Sequence, residues 1–129
     1  MTVVAHLTRR VRAEVASNDL SWSQTMVMGR LAKKGPATAA DLARAEGVKP
    51  QSMGTTIGEL LELGLVERKP HPTDGRQRMI ELTQKGSAVR QLAREEKRTW
   101  VTQAIAELSE TDQKTLFEAS RIFQRLVER

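Results

Sequence analysis

Two short stretches of the chain carry most of the side chains whose type and spacing suit specific chemistry. The first holds Lys49, Gln51, Ser52, Gly54, Thr55 and Thr56. A glutamine amide offers the paired donor and acceptor that match an adenine edge, Ser and Thr hydroxyls reach bases or phosphates, and a Thr methyl can touch the methyl of thymine. The second holds Lys69, Asp74, Gly75, Arg76 and Arg78, with Arg68 and His71 beside them. An arginine at the end of a narrow loop suits a minor groove, where A/T-rich sequence narrows the groove and deepens its negative potential. A carboxylate two residues away is placed to hold that guanidinium through charge-assisted bonds. Each stretch alone also fits a plain solvated surface, where an ion pair is worth about 0 to 1 kcal/mol. It is their pairing, with cations gathered at a turn, that points to a polyanion.

Covalent and metal chemistry find little material. The 129 residues include no Cys and no Tyr, which leaves no disulfide, thiolate ligand or thiol sensor. The two histidines, His6 and His71, stand far apart and outside any metal-binding spacing, and no Ser is set in a nucleophile motif. No catalytic residue, metal or cofactor is therefore expected, and the chain is not read as an enzyme. Lys and Arg number 21 against 16 Asp and Glu, a net charge of +5. Such an excess favours a phosphate-rich partner through counterion release. With 39% hydrophobic and 29% charged residues the composition is that of a soluble globular protein. Neither a membrane-spanning run nor a secretory leader is read, so a cytoplasmic location and no membrane partner are expected.

The elements that must position these residues follow from hydrophobic period and capping. Val3, Val4, Leu7, Val11 and Val15 recur at helical spacing, and Asn18 and Asp19 interrupt them. Ser21 caps a second helix with Val27, Met28 and Leu31 on one side, ended by Gly35 and Pro36. Thr38, with Asp41 three residues on, opens a short third helix that stops at Gly47. Pro50 suits the first turn of a fourth helix, which buries Met53, Ile57, Leu60 and Leu61 and closes at Gly64. Gly54 and Gly58 inside it each cost about 1 kcal/mol of helix propensity. Either close packing against the preceding helix or close approach to DNA would explain them. Leu65 to Lys69 and Arg78 to Leu82 read as half-buried strands joined through the Pro-Thr-Asp-Gly turn. Thr83 then caps a long helix carrying Val89, Leu92, Ala93, Glu96, Trp100, Ala104 and Leu108 on one face. Ser109 with Asp112 opens a last helix bearing Leu116, Ala119, Phe123, Leu126 and Val127.

Helix, turn, helix and hairpin in that order make a winged helix-turn-helix, mainly α with a small β-hairpin wing, on one domain spanning 1–129. Terminal helices with unpaired apolar stripes favour a symmetric dimer. The stretch from Gly35 to Gly86 resembles the MarR family of regulators, through Leu42, Ala43, Gly47 and Val48, then Gly64, Leu65, Val66, Glu67 and Arg68, and finally Asp74, Arg76, Leu82, Thr83 and Gly86. Leu20, Ser21 and Gln24 extend it toward the N-terminus. Thr56 stands where that family usually has an apolar residue.

The resemblance implies a DNA-binding lobe over 21–83 and dimerisation helices over 1–20 and 84–129. It implies that Gln51, Ser52, Thr55 and their neighbours address the major groove of double-stranded DNA, with Asp74 orienting Arg76 in the minor groove. It implies a homodimeric repressor on a pseudo-palindromic operator, released by a small, often aromatic effector. For the effector cleft the candidates are His6, Trp22, Met26 and Trp100. The alternative is a winged helix module for protein contacts or for non-specific DNA binding without ligand control.

Overall fold

The computed structural model describes residues 2–14 and 20–129, without the side chain of Glu14. Val15, Asn18 and Asp19 lie outside the described residues. In chain order the elements are α1 (Thr2–Glu14), α2 (Trp22–Lys34), β1 (Ala37–Thr38), α3 (Ala39–Glu46), α4 (Pro50–Glu62), β2 (Val66–Pro70), β3 (Arg78–Leu82), α5 (Gln84–Ala106) and α6 (Glu110–Val127). They fall into two compact units, one of residues 16–94 and one joining 1–15 to 95–129. The start of α5 thus groups with the helix-turn-helix and the wing, whereas the sequence reading assigned all of 84–129 to the terminal helices.

In the unit of residues 16–94, α2, α3 and α4 close over Val27, Met28, Leu31, Leu42, Ala43, Met53, Ile57 and Leu60, the sheet adds Val66 and Ile80, and Leu65 joins them from the turn before β2. The helix starts are cut by side-chain caps. Ser21 and Gln24 form a reciprocal capping box, while the Thr38 hydroxyl accepts from the Asp41 N–H at 3.1 Å. Between α3 and α4 the chain turns at Gly47, whose φ of 64 is left-handed and therefore free of Cβ strain only for glycine. The Val48 N–H then reaches back to the Ala43 carbonyl at 3.0 Å, and the same backbone pattern closes α4, from Leu65 to Leu60.

The sheet has three antiparallel strands in the order β1-β3-β2. Sequence pattern does not show β1, because two residues carry no alternation. Thr38 sits there because the extended backbone of a helix N-cap, φ −76 and ψ 159, is also strand geometry. The first wing strand begins at Val66 rather than Leu65. It does not alternate as expected, since Val66 is buried and Glu67 to Pro70 are exposed on both faces. Beyond Val66 the first wing strand projects from the core, while the second keeps Ile80 buried in it.

At the junction of wing and α5 there is no room for a side chain on Gly86. A Cβ on Gly86 would fall 2.0 Å from the Leu65 carbonyl oxygen and 3.2 Å from Leu82 Cδ2. That same oxygen accepts the Thr83 N–H at 3.1 Å, and the Thr83 hydroxyl donates to the Gly64 carbonyl at 2.6 Å.

In the other unit, none of the described residues of α1, of α5 beyond Arg94, or of α6 is buried. Val3, Leu7, Phe117, Phe123 and Leu126 are all more than half exposed. The Leu108 expected at the end of the long helical face lies in the turn between α5 and α6.

Gly86→Ala is expected to lower the free energy of unfolding by about 1 to 3 kcal/mol, the usual cost of overpacking. Urea titration measures it, and a loss under about 0.5 kcal/mol, typical of a neutral surface change, would contradict the contact.

Candidate nucleic-acid interface

Helical period decides which polar residues of α4 face outward. Met53, Ile57 and Leu60 hold one side against the core, and Thr56 falls on that side with them, only 9% exposed. Its hydroxyl bonds within the helix, to the Ser52 carbonyl at 3.2 Å. Thr56 is therefore withdrawn from the contact face on which the sequence reading placed it. Its spacing from Met53 and Leu60 already carried that signal; its polar type concealed it. Lys49, Gln51, Ser52, Gly54 and Thr55 remain exposed. Lys49 is the N-cap residue, and its donor-only ammonium offers no cap bond to the helix.

The two internal glycines have open space where a Cβ would be, with nothing within 4 Å at Gly54 or Gly58. Packing against the preceding helix is thus not their reason. Gly54 instead borders a concavity of about 360 Å3 whose far side is made by Arg68, Gln77 and Arg78 of the wing and whose floor includes Ile57 and Ile80. Bare backbone on α4 and cations on the wing share one hollow. Thr38 reaches its edge, although its side chain is buried and occupied in capping α3. The Asp41 carboxyl is held below the usual carboxylate range, first through its hydrogen bond with the Thr38 side chain.

Two polar links fix α4 and its turn to α2. Gln24 is buried, and its Oε1 accepts the Ser21 N–H at 2.9 Å while its Nε2 donates to Glu59 Oε2 at 3.0 Å. Arg30 Nε meets Glu46 Oε1 at 2.9 Å.

The wing tip is organised around Asp74. Its Oδ1 accepts the Arg76 N–H at 3.0 Å and lies 3.4 Å from Arg76 Nε, while its Oδ2 accepts from the Gln77 side chain at 3.1 Å. The Arg76 side chain is 93% exposed, so the carboxylate orients the backbone beneath a guanidinium that points into solvent. Gln77, absent from the sequence reading, is a second arm of this network, and no pattern in the sequence marks it. Gly75 is an exposed member of the same loop. Lys69 stands on β2 with Glu67 Oε1 3.5 Å away, an exposed pair that leaves the cation available. His71, counted with the cations above, accepts backbone N–H bonds instead.

Of the four effector candidates, Trp22 and Met26 line one cavity of about 140 Å3 with Val48, Ser52, Met53 and Thr56, and Glu46 adds a carboxylate at its wall. His6 and Trp100 belong to the other unit. Among the described residues no His, Asp or Glu cluster has the makings of a metal site, and no helix is long and apolar enough to cross a membrane.

A family model described as the MarR family matches residues 18–77. An HTH-type transcriptional regulator of Mycobacterium tuberculosis is 33% identical over 125 residues, covering 97% of this chain and 87% of the relative. A crystal structure of another M. tuberculosis protein superposes with a TM-score of 0.87 at 25% identity, covering 99% of this chain and 88% of that one. A mutant of S. aureus MepR bound to an oligodeoxyribonucleotide has the same fold, with a TM-score of 0.76 at 16% identity over 97% of this chain and 93% of that one.

The Asp74 carboxyl is held below its ordinary value of 3.8, first by the Arg76 N–H and then by the Gln77 side chain. A carboxyl so depressed binds a proton less readily in the ordered turn than in an opened one. Its support is complete above about pH 4 and is lost as pH falls through the depressed value. In an NMR titration the Asp74 side-chain carboxyl signal is expected to move with a midpoint below 3.8. A midpoint at or above that pH would contradict the bonding.

Proposed function

Because the chain belongs to the MarR family of transcriptional regulators, we propose that it is a sequence-specific DNA-binding regulator that acts as a homodimer. The observation that carries the reading is the hollow shared by Gly54 of α4 and by Arg68, Gln77 and Arg78 of the wing. A helix entering a major groove presents its first turns to the base edges. Here those turns hold Lys49, Gln51, Ser52 and Thr55, all exposed. Gly54 lets the backbone between them approach the duplex without an intervening side chain. Arg76, at the end of the wing, enters the adjacent minor groove, and Lys69 and Arg78 meet phosphates along its sides. That an S. aureus MepR mutant of the same fold is bound to an oligodeoxyribonucleotide supports DNA as the partner.

The exposed apolar faces of α1 and α6 are covered by a second copy, since a lone chain would leave Leu7, Phe117, Phe123 and Leu126 in water. Two-fold symmetry then calls for a pseudo-palindromic operator with half-sites about one helical turn, roughly 34 to 36 Å, apart. Occupation of that operator represses transcription in the cytoplasm. The cavity beside Trp22 and Met26 takes the effector. At about 140 Å3 it is close to the roughly 150 Å3 cavity that accepts benzene, so a single aromatic ring fits. Ser52 belongs both to its wall and to the DNA-facing turn, so an occupant acts directly on the recognition helix and releases it.

Selection from a random duplex pool, followed by fluorescence anisotropy on the recovered site, tests the reading. Arg76→Ala is expected to weaken binding about tenfold or more, and wild-type affinity is expected to fall steeply with salt. Unchanged affinity in the variant, with a flat salt response, would favour a winged helix used for protein contacts. In light scattering at micromolar concentration a species of twice the chain mass is expected, and a lone monomer would contradict the dimer.

A further inference from the structure

The wing tip hangs on a residue that charge counting misassigns. His71 Nδ1 lies 3.0 Å from the Asp74 backbone nitrogen and 3.2 Å from that of Thr73, and both N–H groups donate to it. An imidazolium has no lone pair on either nitrogen, so this arrangement exists only with Nδ1 bare and the ring proton on Nε2. We propose that His71 is the positioning residue of the wing, acting as a neutral hydrogen-bond acceptor and not as a phosphate-facing cation.

Acceptance from the N–H groups two and three residues ahead is how an Asn or Asp side chain closes a turn. Here a stiff, half-buried ring does the same. Pro72 has no N–H to offer, so the ring reaches past it to the next two. Once its own amide is tied to His71, Asp74 is oriented to receive the Arg76 N–H at 3.0 Å and the Gln77 side chain at 3.1 Å, while its carbonyl takes the Gln77 N–H at 3.1 Å. The order of dependence is His71, then the Asp74 backbone, then the Asp74 carboxylate, then Arg76. Because the Arg76 side chain is 93% exposed, no core packing substitutes for that chain of bonds. Thr73 Oγ1, at 3.5 Å from the same nitrogen, adds little.

The proposal rests on the DNA-contacting role of the wing for its affinity readout, and on the free protein alone for its second readout. Asn Oδ1 and His Nδ1 both stand two bonds beyond Cβ, so His71→Asn keeps an acceptor in place without any cation. His71→Lys keeps a cation without an acceptor, and His71→Ala keeps neither. On the selected duplex at fixed salt, His71→Asn is expected to bind within about threefold of wild type. His71→Lys and His71→Ala are expected to lose about tenfold, the scale of a lost hydrogen-bonded arrangement. In hydrogen exchange on the free proteins, the Thr73 and Asp74 amides are expected to stay protected in His71→Asn and to exchange faster in the other two variants. Retained affinity in His71→Lys with loss in His71→Asn would overturn the proposal in favour of the cation. Equal exchange at Thr73 and Asp74 in all four proteins would overturn it as well. If wild type binds no duplex while the exchange pattern holds, the DNA reading fails and the positioning role of His71 stands.

Discussion

The position of the recognition helix depends on the place where it ends. The Leu65 carbonyl receives the Thr83 N–H and leaves no room for a Cβ at Gly86, while Thr83 and Lys85 bond the Gly64 and Leu63 carbonyls at 2.6 and 2.8 Å. The last carbonyls of α4 itself are met by the Leu63, Gly64 and Leu65 N–H groups just past it. The start of α5 holds the carbonyls that follow, so the end of α4, the entry to the wing and the next helix meet at one place. A shift of α5 along its axis by one residue would break the Thr83 and Lys85 bonds at once.

The links of α4 and its preceding turn to α2 are polar side-chain bonds. Gln24 uses one buried amide to cap α2 and to bind Glu59, and Arg30 with Glu46 pins the turn before Pro50. Helix position is thus fixed by packing and polar links that are partly or wholly shielded from water. The wing tip is less shielded. Its order comes from a part-buried bond of the Asp74 N–H to His71 and from exposed hydrogen bonds of Asp74 to Arg76 and Gln77, each worth little alone in water. A rigid helix and a locally braced loop suit different tasks: base edges demand fixed geometry, whereas a groove width that varies with sequence rewards a loop able to adjust.

The sequence reveals α2, α3 and α6 through both a period and a cap, Ser21 with Gln24, Thr38 with Asp41 and Ser109 with Asp112, and α4 through its period and Pro50. The second wing strand is equally legible, with Ile80 its buried centre. β1 is not, since a two-residue strand is made by the sheet it joins and by the N-cap geometry of Thr38. Thr56 misleads because chemistry and period disagree, and burial follows period. The face of Gln51, Ser52 and Thr55 and the pairing of Asp74 with Arg76 are readable from spacing. The roles of His71 and Gln77 are not, because a ring nitrogen accepting two backbone N–H groups depends on loop geometry that residue types do not encode. Gly54 and Gly58 stand out in the sequence through their helix cost, and the open space around them removes close packing as the reason.

The central claim is that the first turns of α4 and the tip of the wing engage one duplex together. Amide chemical-shift mapping of the isotope-labelled protein, with and without the selected operator, addresses it directly. Joint perturbation of Gln51 to Thr55 and of Asp74 to Arg78, with the buried α4 positions little changed, is the expected result. Perturbation confined to one of the two segments, or centred on α6 with neither responding, would contradict the claim.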